Sequence, residues 1–208
     1  MGIAERKEKQ KLEIRKLILE ASMKLFVEEG FENVSIRKIA DLIEYSPTTV
    51  YLYFKDKDEI FYELHNIGFL LFQEMNKDLP AIEDPLARLH KMGGNYIHFG
   101  LANQEYYDLM FIQRAPMEAL TQMKGPDCGW AAGDSAFENL KATLEECMEK
   151  GSISRTSLDV LAMTVWGMVH GWVSLAIRGR FEKMMPKEQI LPMMLLSLDF
   201  MIDTIAAK

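Results

Sequence analysis

Apolar residues recur at helical spacing along most of the chain, and no stretch alternates apolar with polar residues as a half-buried strand would. Leu12, Ile14, Leu17, Ile18, Ala21, Leu25 and Phe26 fall mostly at three- and four-residue steps and predict a first amphipathic helix. Gly30 is its stop, because glycine accepts the left-handed backbone found there. Ser35 suits the cap of a second helix reaching about Ile43, with Ile36, Ile39, Ala40 and Ile43 on one face. Ser46 suits the cap of a third, and Pro47 its first turn, where a missing N–H costs nothing. Val50 and Phe54, four apart, anchor that segment inward. Either Asp56 or Asp58 opens a long helix through Ile60, Leu64, Ile67, Leu71 and Met75.

Pro80 and Pro85 end that pattern and start another, with Asp84 as its cap. Further helical patterns occupy residues 85–102, 104–113, 134–150, 156–182 and 187–206, whereas 124–133 reads as a loop. Gly151 with Ser152, and Met185 with Pro186, separate the last three. Pro192 either kinks or starts the final helix. The expectation is an all-α fold of about nine helices. Its residues 34–61 hold two short helices around a tight turn, the layout of a helix-turn-helix.

A chain of 208 residues can bury a real core in one or two domains, and 49% hydrophobic residues argues against disorder. No apolar run is expected to reach the roughly 18 charge-free residues of a membrane span. The start, with Glu5, Arg6, Lys7, Glu8 and Lys9, lacks the apolar core of a secretory signal, so a cytoplasmic protein is expected. Cys128 and Cys147 have no metal-ligand spacing and are expected as reduced thiols. His65, His90, His98 and His170 show no metal-site spacing either. The net charge of −7 is uneven: residues 1–57 carry 11 Lys+Arg and 10 Asp+Glu, whereas 58–208 carry 13 and 21. The acidity thus lies outside the candidate DNA-binding segment, where it is compatible with phosphate contact.

Gly30-Phe31, Ser35-Ile36-Arg37-Lys38-Ile39-Ala40 and Ser46-x-x-Thr49-Val50-Tyr51-x-Tyr53-Phe54-x-x-Lys57-Asp58-Glu59-Ile60 together resemble the TetR family of one-component transcriptional regulators over roughly residues 10–62. Tyr106-Tyr107-Asp108-Leu109-Met110-Phe111 and Trp166-Gly167-Met168-Val169-His170-Gly171 resemble the C-terminal domain of a subgroup with a Trp-x-x-x-His-Gly stretch. The resemblance implies an all-α homodimer that binds a pseudo-palindromic DNA operator through its first three helices. It also implies an inducer site in the C-terminal body, a fourth helix linking site and reader, and two final helices that pair with their copies. The corresponding division is a DNA-binding domain over residues 1–58 and a ligand-binding and dimerisation domain over 59–208. Two positions depart from the family, which usually has glycine where Glu44 and Thr48 stand. A left-handed Glu44 would cost roughly 1 kcal/mol; a differently shaped turn is the alternative.

In such a reader, Thr48 and Thr49 offer hydroxyls and methyls to base edges, with Pro47 and Leu52 adding apolar contact. Arg37 is the candidate for a bidentate guanine contact. Tyr51, Tyr53, Lys55 and Lys57 suit phosphate oxygens, and Lys11 and Arg15 add phosphate contacts from the first helix. Taken singly, the tyrosines read equally as packing residues and the cations as solvated surface; their shared spacing is what favours DNA.

Residues 85–182 are rich in aromatics and methionines, including Met92, Tyr106, Met117 and Trp130. Most of these read as core, but apolar pockets with a few polar anchors have the same composition. Tyr96, Phe99, Tyr107, Met110, Phe111, Met163, Trp166 and His170 are the candidate lining for a small apolar or aromatic ligand, or an acyl chain. His170 is either such a contact or a packing residue beside Gly167 and Gly171, whose small size permits close helix approach. Leu158, Leu161, Val165, Val169 and Val173, and the apolar set from Ile190 to Ile205, exceed what a soluble monomer exposes. No nucleophile elbow, phosphate-binding glycine loop or zinc spacing points to an enzyme, and no cofactor is implied. Glu145, Glu146 and Asp134 read as a solvated helix face. The remaining alternative is a helical interaction module that has lost sequence-specific DNA binding.

Overall fold

The computed structural model describes residues 2–114 and 131–207, apart from the side chains of Ile3, Ala131 and Ala132. Nine α-helices occur among the described residues: α1 (Ile3–Glu29), α2 (Ile36–Leu42), α3 (Pro47–Tyr51), α4 (Lys57–Met75), α5 (Pro85–Ala102), α6 (Gln104–Phe111), α7 (Ala131–Glu149), α8 (Leu158–Ile177) and α9 (Lys187–Ile205). No strand occurs among those residues; Ile153 and Ala206 make one isolated antiparallel bridge. Met117, Cys128 and Trp130, with most of the loop expected over 124–133, lie outside the described residues.

The local signals act as the sequence implies. Ser35 Oγ accepts from the Lys38 N–H, Ser46 Oγ from the Thr49 N–H and Asp84 Oδ1 from the Leu86 N–H, which satisfies amide groups that no preceding turn can reach. Asp56, not Asp58, caps α4: its carboxylate accepts from the Glu59 N–H at 2.9 Å. Pro192 lies inside α9, one turn from its start. Two boundaries differ from expectation. Helix α7 begins at Ala131, ahead of Gly133, so that glycine is helical. Helix α8 ends at Ile177 because Gly179 takes φ +63° and the Arg180 N–H turns back to the Leu175 carbonyl.

The expectation about apolar runs is corrected. Residues 160–177 contain no Asp, Glu, Lys or Arg, and α8 is long and apolar enough to cross a membrane by length and composition. Thr164, Gly167, His170, Gly171 and Ser174 break up the run to the eye without adding charge. Only 28% of that stretch is buried within the chain.

The described residues divide into two compact units, one of residues 2–68 and 108–114, the other of 69–107 and 131–207. In the first, α1 packs on α2 and α2 on α3. Its core holds Ile18, Ile39, Val50, Phe54, Ile60, Phe61 and Leu64. Phe26, Phe31 and Phe61 form an aromatic triangle, with Phe31 and Phe61 centroids 4.2 Å apart. In the second, α5 is central and packs against α7, α8 and α9. Close approach is set by α5 itself: a Cβ on Gly100 would lie 2.3 Å from Val173 Cγ1, and one on Gly93 would lie 2.6 Å from Leu198 Cδ1.

Glu44 is left-handed, at φ +59°. The Tyr45 N–H reaches the Ala40 carbonyl and the Glu44 N–H the Asp41 carbonyl, the paired bonds of a helix end that normally takes glycine at this position. Glycine fills the equivalent places after α7 and α8, at Gly151 and Gly179. Glu44→Gly is therefore expected to stabilise the first unit by about 1 kcal/mol, less the added entropy of glycine in the unfolded chain. A urea midpoint that fails to rise would show the turn to be unstrained.

Candidate functional site

The reading segment is built by its caps. Ser46 binds the Thr49 amide and lies 2.9 Å from the Thr49 hydroxyl, so Thr49 closes the start of α3. Val50 and Phe54 are buried and fix the opposite face outward. That face presents Pro47, Thr48, Tyr51 and Leu52 to solvent, with Tyr51 56% and Leu52 76% exposed. Arg37 is exposed in the first turn of α2, while Tyr53 is half-buried.

The cations divide. Lys55 is exposed, with its ammonium 3.9 Å from Asp56. Lys57 folds back, its ammonium 4.8 Å from the Phe31 ring centroid and 3.4 Å from the Phe31 carbonyl. Arg15 lies 4.5 Å over the Phe54 ring and 3.0 Å from Glu63. Lys38, on the exposed side of α2, is paired with Glu29.

The second unit gathers five of the predicted ligand residues: Tyr96, Phe99, Tyr107, Trp166 and His170. Tyr107 Oη lies 2.7 Å and Tyr96 Oη 3.0 Å from His170 Nδ1. The Tyr96 hydroxyl donates to Tyr107 Oη, and Trp166 Nε1 donates to Tyr96 Oη, each at 3.3 Å. Tyr107 also faces the His170 carbonyl at 3.3 Å. Rings enclose the knot: Phe72 meets Tyr96 and Phe99 edge-on, and Phe137 meets Trp166. Burial pushes the Tyr96 phenol up to about 12, against the opposing influence of its bonds to Tyr107 and Trp166. Burial, then the nearby Arg178 charge, holds His170 below the ordinary histidine range. Both shifts favour the neutral form, as an apolar-lined site requires.

The other predicted ligand residues are Met163, Met110 and Phe111. Met163 is exposed on α8, and Met110, buried, and Phe111, half-buried, belong to the first unit. Gly167 and Gly171 do not serve close packing within the described residues, since an added Cβ at either meets nothing within 4 Å. Glu146 is bound by Arg88 at 2.6 Å and Lys150 at 2.8 Å, a structural tie rather than a solvated face.

Sequence reasoning missed Asn95. It is buried beside Tyr96 on α5, and its Nδ2 donates at 3.0 Å to both the Met75 carbonyl and Asn76 Oδ1. It thereby ties the helix carrying Tyr96 to the end of α4. A polar residue immediately before Tyr96, Ile97 and Phe99 was the available signal.

Residues 18–64 match the family described as bacterial regulatory proteins, tetR family, and residues 89–198 match the tetracyclin repressor-like, C-terminal domain. The chain belongs to the TetR family. The first of these family models describes bacterial regulatory proteins. The chain is 36% identical over 78 residues to the HTH-type transcriptional regulator HbdR of Aromatoleum sp. (strain CIB), a match covering 37% of this chain and 34% of HbdR. The chain matches little more than a third of the length of its curated relatives. Among solved structures, the TetR family transcriptional regulator PfmR from Thermus thermophilus is 20% identical, with a TM-score of 0.69 over 89% of this chain and 97% of its own. The fatty acid degradation regulator FadR from Bacillus halodurans is 14% identical, with a TM-score of 0.68 over 88% and 93%. At these identities the two structures speak for the fold alone.

Proposed function

We propose that the chain is a cytoplasmic, homodimeric repressor, released from a pseudo-palindromic operator by a small apolar or aromatic molecule or an acyl chain. The division into a reading domain over 1–58 and a sensing domain over 59–208 is part of this reading. The observation that carries it is the exposed face of α3, held outward by buried Val50 and Phe54 in a TetR-family chain. Thr48, Pro47 and Leu52 face base edges, Thr49 closes the helix start, and Arg37 reaches from α2. Tyr51, Tyr53, Lys55 and Lys57 hold phosphates, Lys57 after leaving the Phe31 ring.

Dimerisation is supported by apolar surface that the chain leaves open. Val160, Met168 and Leu175 are exposed on α8 and Met193, Leu196 and Phe200 on α9. Gly167 and Gly171, open to their surroundings, lie on the same side of α8 as Val160 and Leu175. A twofold-related copy would cover both stripes and place two readers on one operator.

The ligand site is the aromatic knot. Its hydroxyls, indole N–H and imidazole supply a few polar anchors among rings, which suits a mostly apolar ligand. FadR of Bacillus halodurans, a fatty acid degradation regulator, shares the fold and makes an acyl chain one candidate. A ligand that displaces Tyr96 moves α5, and Asn95 passes that movement to the end of α4. The ligand acts only through its preference for one arrangement over the other.

The test is binding of the purified protein to duplex DNA from upstream of its own gene, against random duplex, across salt concentrations. Selective binding that weakens steeply with salt is expected. Weak, unselective binding to every tested fragment would favour the interaction-module reading. Thr48→Ala is expected to change the preference among operator variants by about 1–3 kcal/mol at one base pair. Uniform weakening across those variants would remove Thr48 from base reading.

A further inference from the structure

The positive charge of the DNA-reading unit does not lie in its helix-turn-helix. Residues 17–57 hold five Lys and Arg against seven Asp and Glu, and the helix-turn-helix over 34–61 is nearly balanced, with four against five. Residues 4–16 hold six against three. A reader with so little net positive charge of its own gains from cations close by, because the phosphate backbone dominates affinity.

The geometry of α1 places those cations. Arg15 is occupied by the Phe54 ring and Glu63, and so pins α1 beside the segment that closes the reading helix. It also fixes which side of α1 faces that segment. Lys11 and Lys7 stand four and eight residues before Arg15, on the same side of the helix. Residues 4–13 are exposed without exception, so these turns project past the packed part of the unit. Lys9 is paired with Glu13 and Lys16 with Glu20, whereas Lys7 and Lys11 have no ion pair among the described residues. At about 1.5 Å per residue, Lys11 lies roughly 6 Å and Lys7 roughly 12 Å along the axis from Arg15. The major groove is about 12 Å wide. The projecting turns therefore have a length comparable with the spacing of the groove's rim phosphates.

We propose that the projecting start of α1 is a second DNA contact, in which Lys7 and Lys11 bind backbone phosphates beside the groove that α3 reads. This rests on the DNA-binding reading and adds a backbone contact to it. Arg15 is the positioning residue: it aims α1 and leaves its own charge with Glu63.

The experiment compares wild type, Lys7→Gln/Lys11→Gln and Lys24→Gln on the upstream duplex that wild type selects and on random duplex, between roughly 50 and 300 mM salt. Glutamine keeps helix propensity, and circular dichroism checks that α1 survives. The double variant is expected to lower the salt slope by about 1.8 per bound chain and to weaken both duplexes roughly tenfold near 100 mM salt. Lys24→Gln, whose lysine pairs with Glu28 far along α1, is expected to change neither. Lys7→Arg/Lys11→Arg is expected to restore both. A double variant with wild-type slope and affinity overturns the proposal while leaving the regulator intact. Failure of wild type to bind any duplex overturns the DNA reading itself, and this contact with it.

Discussion

Phe61→Ala is expected to destabilise the protein by about 3–5 kcal/mol and to remove operator binding well below the temperature at which wild type unfolds. Phe61 is fully buried, and its centroid lies 4.2 Å from that of Phe31 and 5.7 Å from that of Phe26. The three rings join the end of α1, the turn at Phe31–Asn33 and the start of α4. Removing one leaves a cavity that neither a short turn nor a capped helix start can easily fill. Because α2 packs on α1 and α3 on α2, loosening that junction frees the reader from α4. The loss is a large share of the roughly 5–15 kcal/mol that holds an ordinary domain together. Urea unfolding of Phe61→Ala and Phe61→Leu provides the check, with leucine costing much less because it refills most of the volume. Equal losses of under about 1 kcal/mol in both would mean that the start of α4 is held by its cap alone.

The caps, the order of helices and the exposed face of α3 were legible because each depends on residues close in sequence. Ser46, Pro47, Val50 and Phe54 specify a short helix with one buried face before any tertiary contact is known. Glu44 was legible as a question and answered by the backbone: the paired bonds from Glu44 and Tyr45 demand the left-handed conformation whatever residue stands there. Contacts between distant segments were not legible. Arg15 looked like a phosphate ligand because nothing local reveals Phe54 and Glu63 waiting for it. Gly167 and Gly171 looked like packing glycines, yet the close approaches fall at Gly93 and Gly100, whose partners lie far along the chain. The aromatic knot was legible as a set of types in Tyr96, Tyr107, Trp166 and His170. Its geometry, and Asn95 next to it, needed α5, α6 and α8 brought together.

Acid should weaken this protein through one residue of α4. His65 is buried beside Tyr62, whose ring stacks on it, and burial lowers its pKa to about 4, with a side-chain hydrogen bond to Asn66 opposing part of the shift. An unfolded histidine titrates near 6.5. Between those values the unfolded chain binds a proton that the folded chain refuses, so stability rises with pH through that window. It is unaffected by this group above about pH 6.5 and falls progressively as pH drops toward about 4. The full difference corresponds to roughly 3 kcal/mol. Carboxylates titrate in the same range, so the comparison must isolate the imidazole: His65→Gln is expected to lose less stability than wild type between about pH 7 and 4.5. Urea midpoints at several pH values measure this directly. Parallel curves for the two proteins would mean that His65 accepts its proton without opening the fold. A flatter curve for the glutamine variant would instead locate an acid-sensitive position on α4, ten residues before the Met75 carbonyl that Asn95 holds. Operator affinity measured at about pH 7.5 and 5.5 would then show whether protonation at His65 loosens the reader before it unfolds the chain. The expected sign is weaker binding at the lower pH, and the glutamine variant should lose part of that dependence.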